Sequence, residues 1–230
     1  MKCNNKVKRP YAHGQWKVIQ ENQRIEMILF KKIINCLDYI LSFTKPKINK
    51  GIPALTGNQP EDFVCTAEAM CEKSGEDFGW HVDWCVFFIC WASRKSHAFP
   101  MSVKAYPFSF TVEYIKRKNG EFYCFEDKTI DFVKDSIKAE SGSNLNEFCC
   151  IKTNRESFLP EKGDIILFHW KEDYDNYPFS HIGIVNNYKD GIIETIEGNT
   201  SDNHLVKKRT RDYDTQVIGF LRTNWQKLLS

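Results

Sequence analysis

The sequence predicts an α+β fold in which helices come first and a sheet follows. Two observations carry this prediction. Before residue 100, apolar residues recur at helical spacing, whereas from residue 160 onward short segments with a period of two are separated by tight turns. We therefore expect N-terminal helices packed on a C-terminal antiparallel sheet or half-barrel of about five strands.

The helical part begins with a basic segment. Residues 1–59 are predicted to form an arm, a helix over 22–43 and a loop rich in Pro and Gly. Residues 60–230 are predicted to form the main domain, with an insertion at about 100–159. Its expected elements before the sheet are helices at 61–73, 84–95 and 130–139, a helix or strand at 108–117 and a short strand at 121–125.

The sheet is predicted from five short segments. They cover residues 164–170, 180–186, 192–197, 204–210 and 217–222. Lys189-Asp190-Gly191 has the composition of a hairpin turn, so the second and third segments are expected to pair directly.

Length and composition are those of a globular protein. The 230 residues are 42% hydrophobic and 27% charged, too apolar for a disordered chain and too charged for a membrane protein. Residues 1–50 hold 11 Lys or Arg against 3 Asp or Glu. Such a segment can contact nucleic acid, lipid or an anionic wall polymer, but a solvated helix face and a loose tail explain it more simply. No motif that reads nucleic acid is present, so we expect no nucleic-acid partner.

The nine cysteines are expected to be reduced. Their number is odd, several lie in apolar patterns, and no pair of CxxC motifs indicates zinc, so no metal is predicted. Adjacent Cys149 and Cys150 have the weaker alternative of pairing with other thiols. The start lacks a secretory leader, and charges interrupt the apolar region 25–43. We expect a protein made in the cytoplasm without a cleavable signal peptide and without stable membrane insertion.

The stretch 80–92 is the first candidate for chemistry. Trp84, Phe87, Phe88 and Trp91 recur at helical spacing and mark a buried face. With Asp83 as the N-cap, Cys85 falls in the first turn, where backbone N–H groups and the helix dipole favour a thiolate.

Two interpretations of Cys85 follow from that stretch alone. It is either a nucleophile or one more small buried apolar residue, the role expected for Cys90 five residues later. A cysteine nucleophile needs a base within hydrogen-bond reach and a group that orients the base. The decision therefore depends on the histidines and on their neighbours.

His181 is the histidine best placed to be that base. It begins the strand His181-Ile182-Gly183-Ile184-Val185, where a glycine allows close approach. The hairpin partner strand ends with Glu197 and Asn199, which lie two residues apart and so share a face if the backbone is extended. Glu197 can accept a hydrogen bond from the ring N–H of His181, and Asn199 can support or replace it. An ordinary polar strand end is the alternative.

Four sequence blocks in a fixed order resemble the CHAP family of papain-like, NlpC-like cysteine amidohydrolases. They are Trp84-Cys85-x-x-Phe88 with Trp91, Pro160-x-x-Gly163-Asp164-Ile165-Ile166-x-Phe168, Ser180-His181-Ile182-Gly183-Ile184-Val185, and Ile196-Glu197-Gly198-Asn199-Thr200. The resemblance covers about residues 60–222. It implies a papain-like fold with catalytic Cys85 and His181, Glu197 as the third member and Asn199 as a supporting fourth.

The resemblance also implies the substrate. It is an amide of bacterial peptidoglycan, in the stem or cross-bridge peptide or at the N-acetylmuramoyl-L-alanine bond, and no cofactor is needed. Trp80, Asp83 and Trp170 are the candidate residues of the substrate cleft. The absence of an acidic calcium-binding motif near Cys85 again predicts no metal.

The sequence leaves the biological setting open. A phage-lysis enzyme and an injected antibacterial effector both fit, with action in the cell wall or periplasm after lysis or dedicated export, and a secretion or immunity partner is not specified. The alternative function is a papain-like protease or amidase acting on a protein substrate. A binding module without activity is a third possibility, which the presence of Cys85, His181, Glu197 and Asn199 disfavours.

Overall fold

A computed structural model describes residues 48, 51–80, 83–104, 106–141, 149–170, 178–200, 203–214 and 216–226. All of them belong to one unit that begins at Ser42. The predicted arm and the predicted helix 22–43 lie outside the described residues. The boundary predicted between residues 59 and 60 stays a prediction.

Five α-helices occur in the described residues. They are α1 (Gln59–Glu68), α2 (Gly75–Phe78), α3 (Cys85–Ser96), α4 (Pro107–Lys116) and α5 (Asp127–Ser141), and a short 3₁₀ helix covers Arg155–Ser157. Pro60 stands in the first turn of α1, where its missing N–H costs nothing, and Glu61 and Asp62 favour the positive end of that helix. None of the helices in the described part of the chain is long and apolar enough to span a membrane.

The described strands form one sheet of seven. They are β1 (Gly120–Cys124), β2 (Cys150–Lys152), β3 (Ile165–Phe168), β4 (His181–Lys189), β5 (Ile192–Glu197), β6 (Lys207–Asp212) and β7 (Val217–Thr223). Their order across the sheet is β2-β1-β7-β3-β4-β5-β6. The α+β class is therefore confirmed, and β3 to β7 pair antiparallel as expected.

The strand number and the purely antiparallel pairing were predicted wrongly. β1 pairs antiparallel with β7, and β2 then adds to β1 in parallel, so the sheet is mixed. Both extra strands come from residues 100–159, where the sequence shows one short aromatic strand but no partner for it. A parallel partner reaches β1 only through an intervening helix, here α5, and such non-local pairing leaves no local pattern.

Helix α3 is more deeply buried than its apolar face predicted. Ten of its twelve residues are buried, and Arg94 and Lys95 in its last turn are the exceptions. The helix packs on α1 and on β4, so it is covered from more than one direction. Packing against both elements fixes the position of its first residue, Cys85, relative to the sheet.

Two glycines make room for close contacts, one within the β4–β5 hairpin and one between that hairpin and the start of α3. A Cβ atom on Gly183 would lie 2.8 Å from Cγ of Glu197, so the glycine makes room for that side chain. A Cβ atom on Gly198 would lie 2.7 Å from the Trp84 ring and 2.8 Å from Cβ of Phe88. The residue that follows Glu197 is thereby seated directly on the start of α3.

Candidate active site

Cys85 is the first residue of α3. The helix N-cap is Trp84, with φ −127° and ψ 13°, and no side chain caps the helix. The prediction that Asp83 is the N-cap was wrong, because its Oδ1 accepts a hydrogen bond from Nδ2 of Asn199 at 3.2 Å instead. Cys85 still lies where helix N–H groups have no partner within the helix, and the residue is only 7% exposed.

His181 is the first residue of β4 and is buried between Cys85 and Glu197. Its Nε2 lies 3.1 Å from Oε2 of Glu197, and the Cys85 thiol is near enough for its hydrogen bonding and charge to act on the imidazole. The Trp170 ring stacks on the imidazole with a centroid distance of 4.7 Å. A covered imidazole with one partner on each side has little freedom to rotate.

Glu197 ends β5 and is fully buried, yet its carboxylate is richly hydrogen-bonded. Arg211 donates twice, from Nε to Oε1 at 2.8 Å and from Nη2 to Oε2 at 2.6 Å. Thr195 donates to Oε1 at 2.5 Å, and His181 lies against Oε2. Burial by itself favours the neutral acid, but hydrogen bonds and charge from Arg211 and His181 outweigh it and lower the pKa of Glu197 to about 2.

The environment of His181 favours its charged form. Burial lowers the pKa of the imidazole, while the hydrogen bonds and charges of Cys85 and Glu197 raise it, and together they place the pKa at about 9. A protonated imidazole beside a buried sulfur is the arrangement that stabilises a thiolate. The three side chains can therefore support nucleophilic and acid–base chemistry.

Arg211 is the residue at this site that the sequence did not reveal. The β5–β6 ladder places Lys207, not Arg211, opposite Glu197. Lys207 instead pairs with Glu72 at 2.7 Å, while Arg211, which is opposite Ile193, reaches along the sheet to the carboxylate. Every second residue of β6 is partly buried, and these three residues, Lys207, Arg209 and Arg211, are all cations. The alternation therefore does not tell which of the three reaches Glu197.

Asn199 lies beside the site but faces another group. Its backbone has φ 58°, in the left-handed region that Asn tolerates. In the part of the chain that the structure describes, its side chain hydrogen-bonds Asp83 and His204, the latter through Oδ1 and Nδ1 at 2.9 Å. These bonds connect the segment before α3 to the loop after β5. A direct role for Asn199 on His181 stays a prediction.

Trp84, the residue before Cys85, lines an open cavity of about 820 Å³. Its lining residues are Ser74, Gly75, Glu76, Trp80, Asp83, Trp84, Asn199, Asn203 and His204. Two of the three predicted cleft residues, Trp80 and Asp83, thus line a cavity, whereas Trp170 lies against His181. Trp80 is mostly buried and stacks on Phe78 at 4.4 Å, so it forms a firm wall.

The other described thiols do not form a second candidate site. The seven described cysteines are thiols rather than disulfides, and Cys90 is completely buried in α3, with its sulfur 3.6 Å from the Ser102 carbonyl oxygen. Within the described ranges, no group of three or more His, Cys, Asp or Glu side chains could hold a metal ion. His81, which also falls in the stretch 80–92, lies outside the described residues.

Comparison with known proteins places the chain in a family. The family model described as the CHAP domain matches residues 77–199, a range that contains Cys85, His181 and Glu197. The comparison with curated proteins gave no match, and neither did the comparison with solved structures. The matched range is more than half of the 230 residues. The chain therefore belongs to the CHAP domain family, and this membership implies a hydrolase of the amidase or peptidase type that acts on peptidoglycan.

Proposed function

We propose that the chain hydrolyses an amide bond of peptidoglycan through a covalent thioester on Cys85. The observation that carries the proposal is the buried His181, held between the Cys85 sulfur at a helix start and the Glu197 carboxylate. Membership of the CHAP family supplies the substrate class. The bond is one of the stem or cross-bridge peptide, or the N-acetylmuramoyl-L-alanine bond.

The first half of the reaction forms the thioester. The thiol proton of Cys85 passes to His181, and the sulfur attacks the scissile carbonyl carbon. The resulting oxyanion is stabilised by the backbone N–H of Cys85 at the start of α3, a donor of the kind that typically contributes about a hundredfold to a thousandfold in rate. When the carbon–nitrogen bond breaks, His181 returns its proton to the leaving amine.

The second half releases the product. Water gives a proton to His181 as its oxygen attacks the thioester, and the sulfur leaves as the thiolate, which is the form that the imidazolium stabilises. Glu197 stays ionised throughout and orients the ring through Nε2, so the other ring nitrogen serves the sulfur. Asn199 supports the site from the Asp83 side in this proposal, because its hydrogen bonds fix the segment that precedes the nucleophile.

We also propose that the enzyme acts in the cell wall or periplasm after lysis or dedicated export. A phage-lysis enzyme and an injected effector are the two settings that the sequence supports. The cavity beside Trp84, with its aromatic wall and polar rim, supports a cleft large enough for a peptide.

The test is digestion of purified peptidoglycan by the wild type and by Cys85→Ala, with the released ends identified by mass spectrometry. New amino termini from the wild type alone are expected, and their identity names the bond. Cys90→Ala is the matched control, since it removes a buried thiol from the same helix outside the site and should retain hydrolysis.

Two results would contradict the proposal. Equal release by the wild type and by Cys85→Ala would exclude the cysteine as nucleophile. No release from several wall types, together with cleavage of a protein substrate by the wild type alone, would favour the alternative protease.

A further inference from the structure

We propose that Arg211 is a positioning residue for catalysis, which keeps the Glu197 carboxylate charged and fixed while His181 changes its protonation state. The inference rests on the proposed function of Cys85, His181 and Glu197, and adds a residue from β6 to that site. Arg211 is in none of the four sequence blocks, and it also lies beyond the matched range 77–199.

The geometry is that of a fork binding a carboxylate. Nε and Nη2 of Arg211 reach the two different oxygens of Glu197, at 2.8 and 2.6 Å. Such a two-point contact fixes the carboxylate plane as well as its distance, which a single point charge cannot do. The oxygen that accepts from Nη2 is also the one that contacts His181, at 3.1 Å.

The guanidinium is itself held in place by the aromatic wall of the site. It lies 5.4 Å from the Phe168 ring centre and 5.5 Å from that of Trp170. Trp170 also stacks on His181 at 4.7 Å. One indole therefore packs against both charged partners of Glu197, so the arginine and the imidazole share a common support.

The charge balance explains why a buried site needs this arginine. A buried carboxylate without a cation is unfavourable, and it would take up a proton whenever His181 becomes neutral. With Arg211 present, the pair Glu197 and Arg211 is neutral by itself in both states of the imidazole. Glu197 can then remain an acceptor for the Nε2 proton through the whole cycle.

The charged side chains with the largest effects on Glu197 and His181 are few in the described part of the chain. The titratable or charged side chains that act on Glu197 are His181 from β4 and Arg211 from β6. Those that act on His181 are Cys85 from α3 and Glu197 from β5. Removing the cation of Arg211 therefore alters a small and defined set of equilibria.

The experiment measures alkylation of Cys85 by iodoacetamide from about pH 4 to about pH 10, which spans the range in which thiols and imidazoles titrate, with the Cys85 peptide followed by mass spectrometry. It uses the full chain and needs no peptidoglycan. The variants are Arg211→Gln and Arg211→Lys, with Lys207→Gln as the matched control. Lys207 lies on the same strand in register with Glu197, but its ammonium pairs with Glu72. Thermal unfolding and circular dichroism establish that each variant is folded.

Loss of the Arg211 cation should move the Cys85 alkylation profile to higher pH. The quantities compared are its midpoints, the pH values at which the rate has made half of each change. Arg211 lowers the pKa of Glu197, so its removal raises that pKa, and the carboxylate that is no longer neutralised then raises the pKa of the imidazole. We expect a shift of about one pH unit or more in Arg211→Gln, because the imidazole then lies at hydrogen-bond distance from a carboxylate whose charge is no longer neutralised. Arg211→Lys keeps the charge but not the fork, so it should shift the midpoints less and lower the rate of hydrolysis.

A purely structural role would lower the amount of active protein without moving the midpoints. Superposition of the Arg211→Gln and Lys207→Gln profiles would therefore overturn the inference. If Arg211→Gln does not fold, the comparison of Arg211→Lys with Lys207→Gln decides: hydrolysis must fall in the first and not in the second.

Failure of the proposed function gives a different result. A His181→Ala profile identical to that of the wild type would show that Cys85 and His181 do not act as a pair. Shifted midpoints in Arg211→Gln, together with no digestion of peptidoglycan by the wild type, would support the role of Arg211 and remove the proposed substrate.

Discussion

Two buried carboxylates in the same sheet are each held by an arginine, but their acidities differ in direction. Glu197 at the end of β5 has its pKa lowered to about 2. Asp164, just before β3, has its pKa raised to about 6, because burial outweighs the hydrogen bonds and charge of Arg222. Both side chains are nearly inaccessible to solvent, so burial alone does not explain the difference.

The number and sharing of their partners explain it. Glu197 accepts from three side chains, and two of them can carry a positive charge. Asp164 accepts from Arg222 and from one backbone N–H, that of Glu161 at 2.9 Å. Arg222 also lies 3.0 Å from the Glu161 carboxylate, so its charge is divided between two acids.

The comparison separates a structural pair from a chemical one. Asp164 and Arg222 join the turn before β3 to β7, and their contacts in the described part of the chain include no nucleophile. The Gly163-Asp164 block of the sequence is thus explained by packing and turn geometry, with Gly163 at φ 88°. Glu197, the carboxylate that contacts a titrating imidazole, is the one whose negative charge is stabilised by donors at both oxygens.

The largest expected effect that would test this contrast is on catalysis. Glu197→Gln removes the charge that orients the imidazolium and should lower kcat by about a thousandfold or more. Asp164→Asn, the matched control, should retain kcat within a few-fold once the folded fraction is measured. Rates on peptidoglycan for the two variants, at equal folded concentration, provide the check. Similar losses in both would remove the distinction.

The next effect concerns the space that Gly183 leaves for Glu197. Gly183→Ala would place a Cβ atom 2.8 Å from Cγ of Glu197 and 3.3 Å from Cγ2 of Ile166, so the carboxylate must move. A displacement of about 1 Å in a catalytic group can cost about a hundredfold in rate, and we expect a kcat decrease of that order.

Gly191→Ala is the control for that substitution. Gly191 lies in the turn of the same hairpin, and a Cβ atom there would have no neighbour within 4 Å among the described residues, although the φ of 81° is strained for alanine. The substitution should cost about 1 kcal/mol of stability and leave kcat unchanged. A kcat loss equal to that of Gly183→Ala would point to hairpin stability as the common cause.

The smallest effect is on the pH dependence of stability, where the two carboxylates should act in opposite directions. The lowered pKa of Glu197 contributes stability above its usual value of 4.5, and this is lost as the pH falls toward 2. The raised pKa of Asp164 contributes stability below its usual value of 3.8, and this is lost as the pH rises through about 6.

Urea unfolding of the wild type, Glu197→Gln and Asp164→Asn between about pH 3 and pH 7 measures both contributions. The stability gap between the wild type and Glu197→Gln should narrow as the pH falls. Relative to Asp164→Asn, the wild type should lose about 2 kcal/mol between about pH 4 and pH 6. Parallel curves for all three proteins would contradict the assigned directions.

Local sequence patterns were sufficient for several elements and for part of the site. The strand Ile192–Glu197 has the predicted bounds, and the turn at Asp190 and Gly191 has the positive φ angles expected of a tight hairpin. A hairpin of that geometry brings the start of β4 near the end of β5, which is why His181 and Glu197 are neighbours. Turn chemistry and period-two alternation are properties of adjacent residues, so the sequence displays them.

Other features could not be predicted, because they depend on contacts between distant segments. Asp83 has the side chain of a good N-cap, but Asn199, 116 residues later in the chain, takes its carboxylate. The partner of Glu197 by strand register is Lys207, but Glu72 draws that lysine away. Propensity cannot anticipate competition of this kind.

The sequence by itself therefore determined the α+β class, the cysteine at a helix start and the histidine and glutamate on paired strands. The tertiary structure alone decided that Arg211 neutralises the buried Glu197 and that Asn199 turns toward Asp83. It also added two strands to the sheet. The physical reason is that periodicity records which residues are buried, whereas the choice of partner for a buried charge depends on the distances that the complete fold creates.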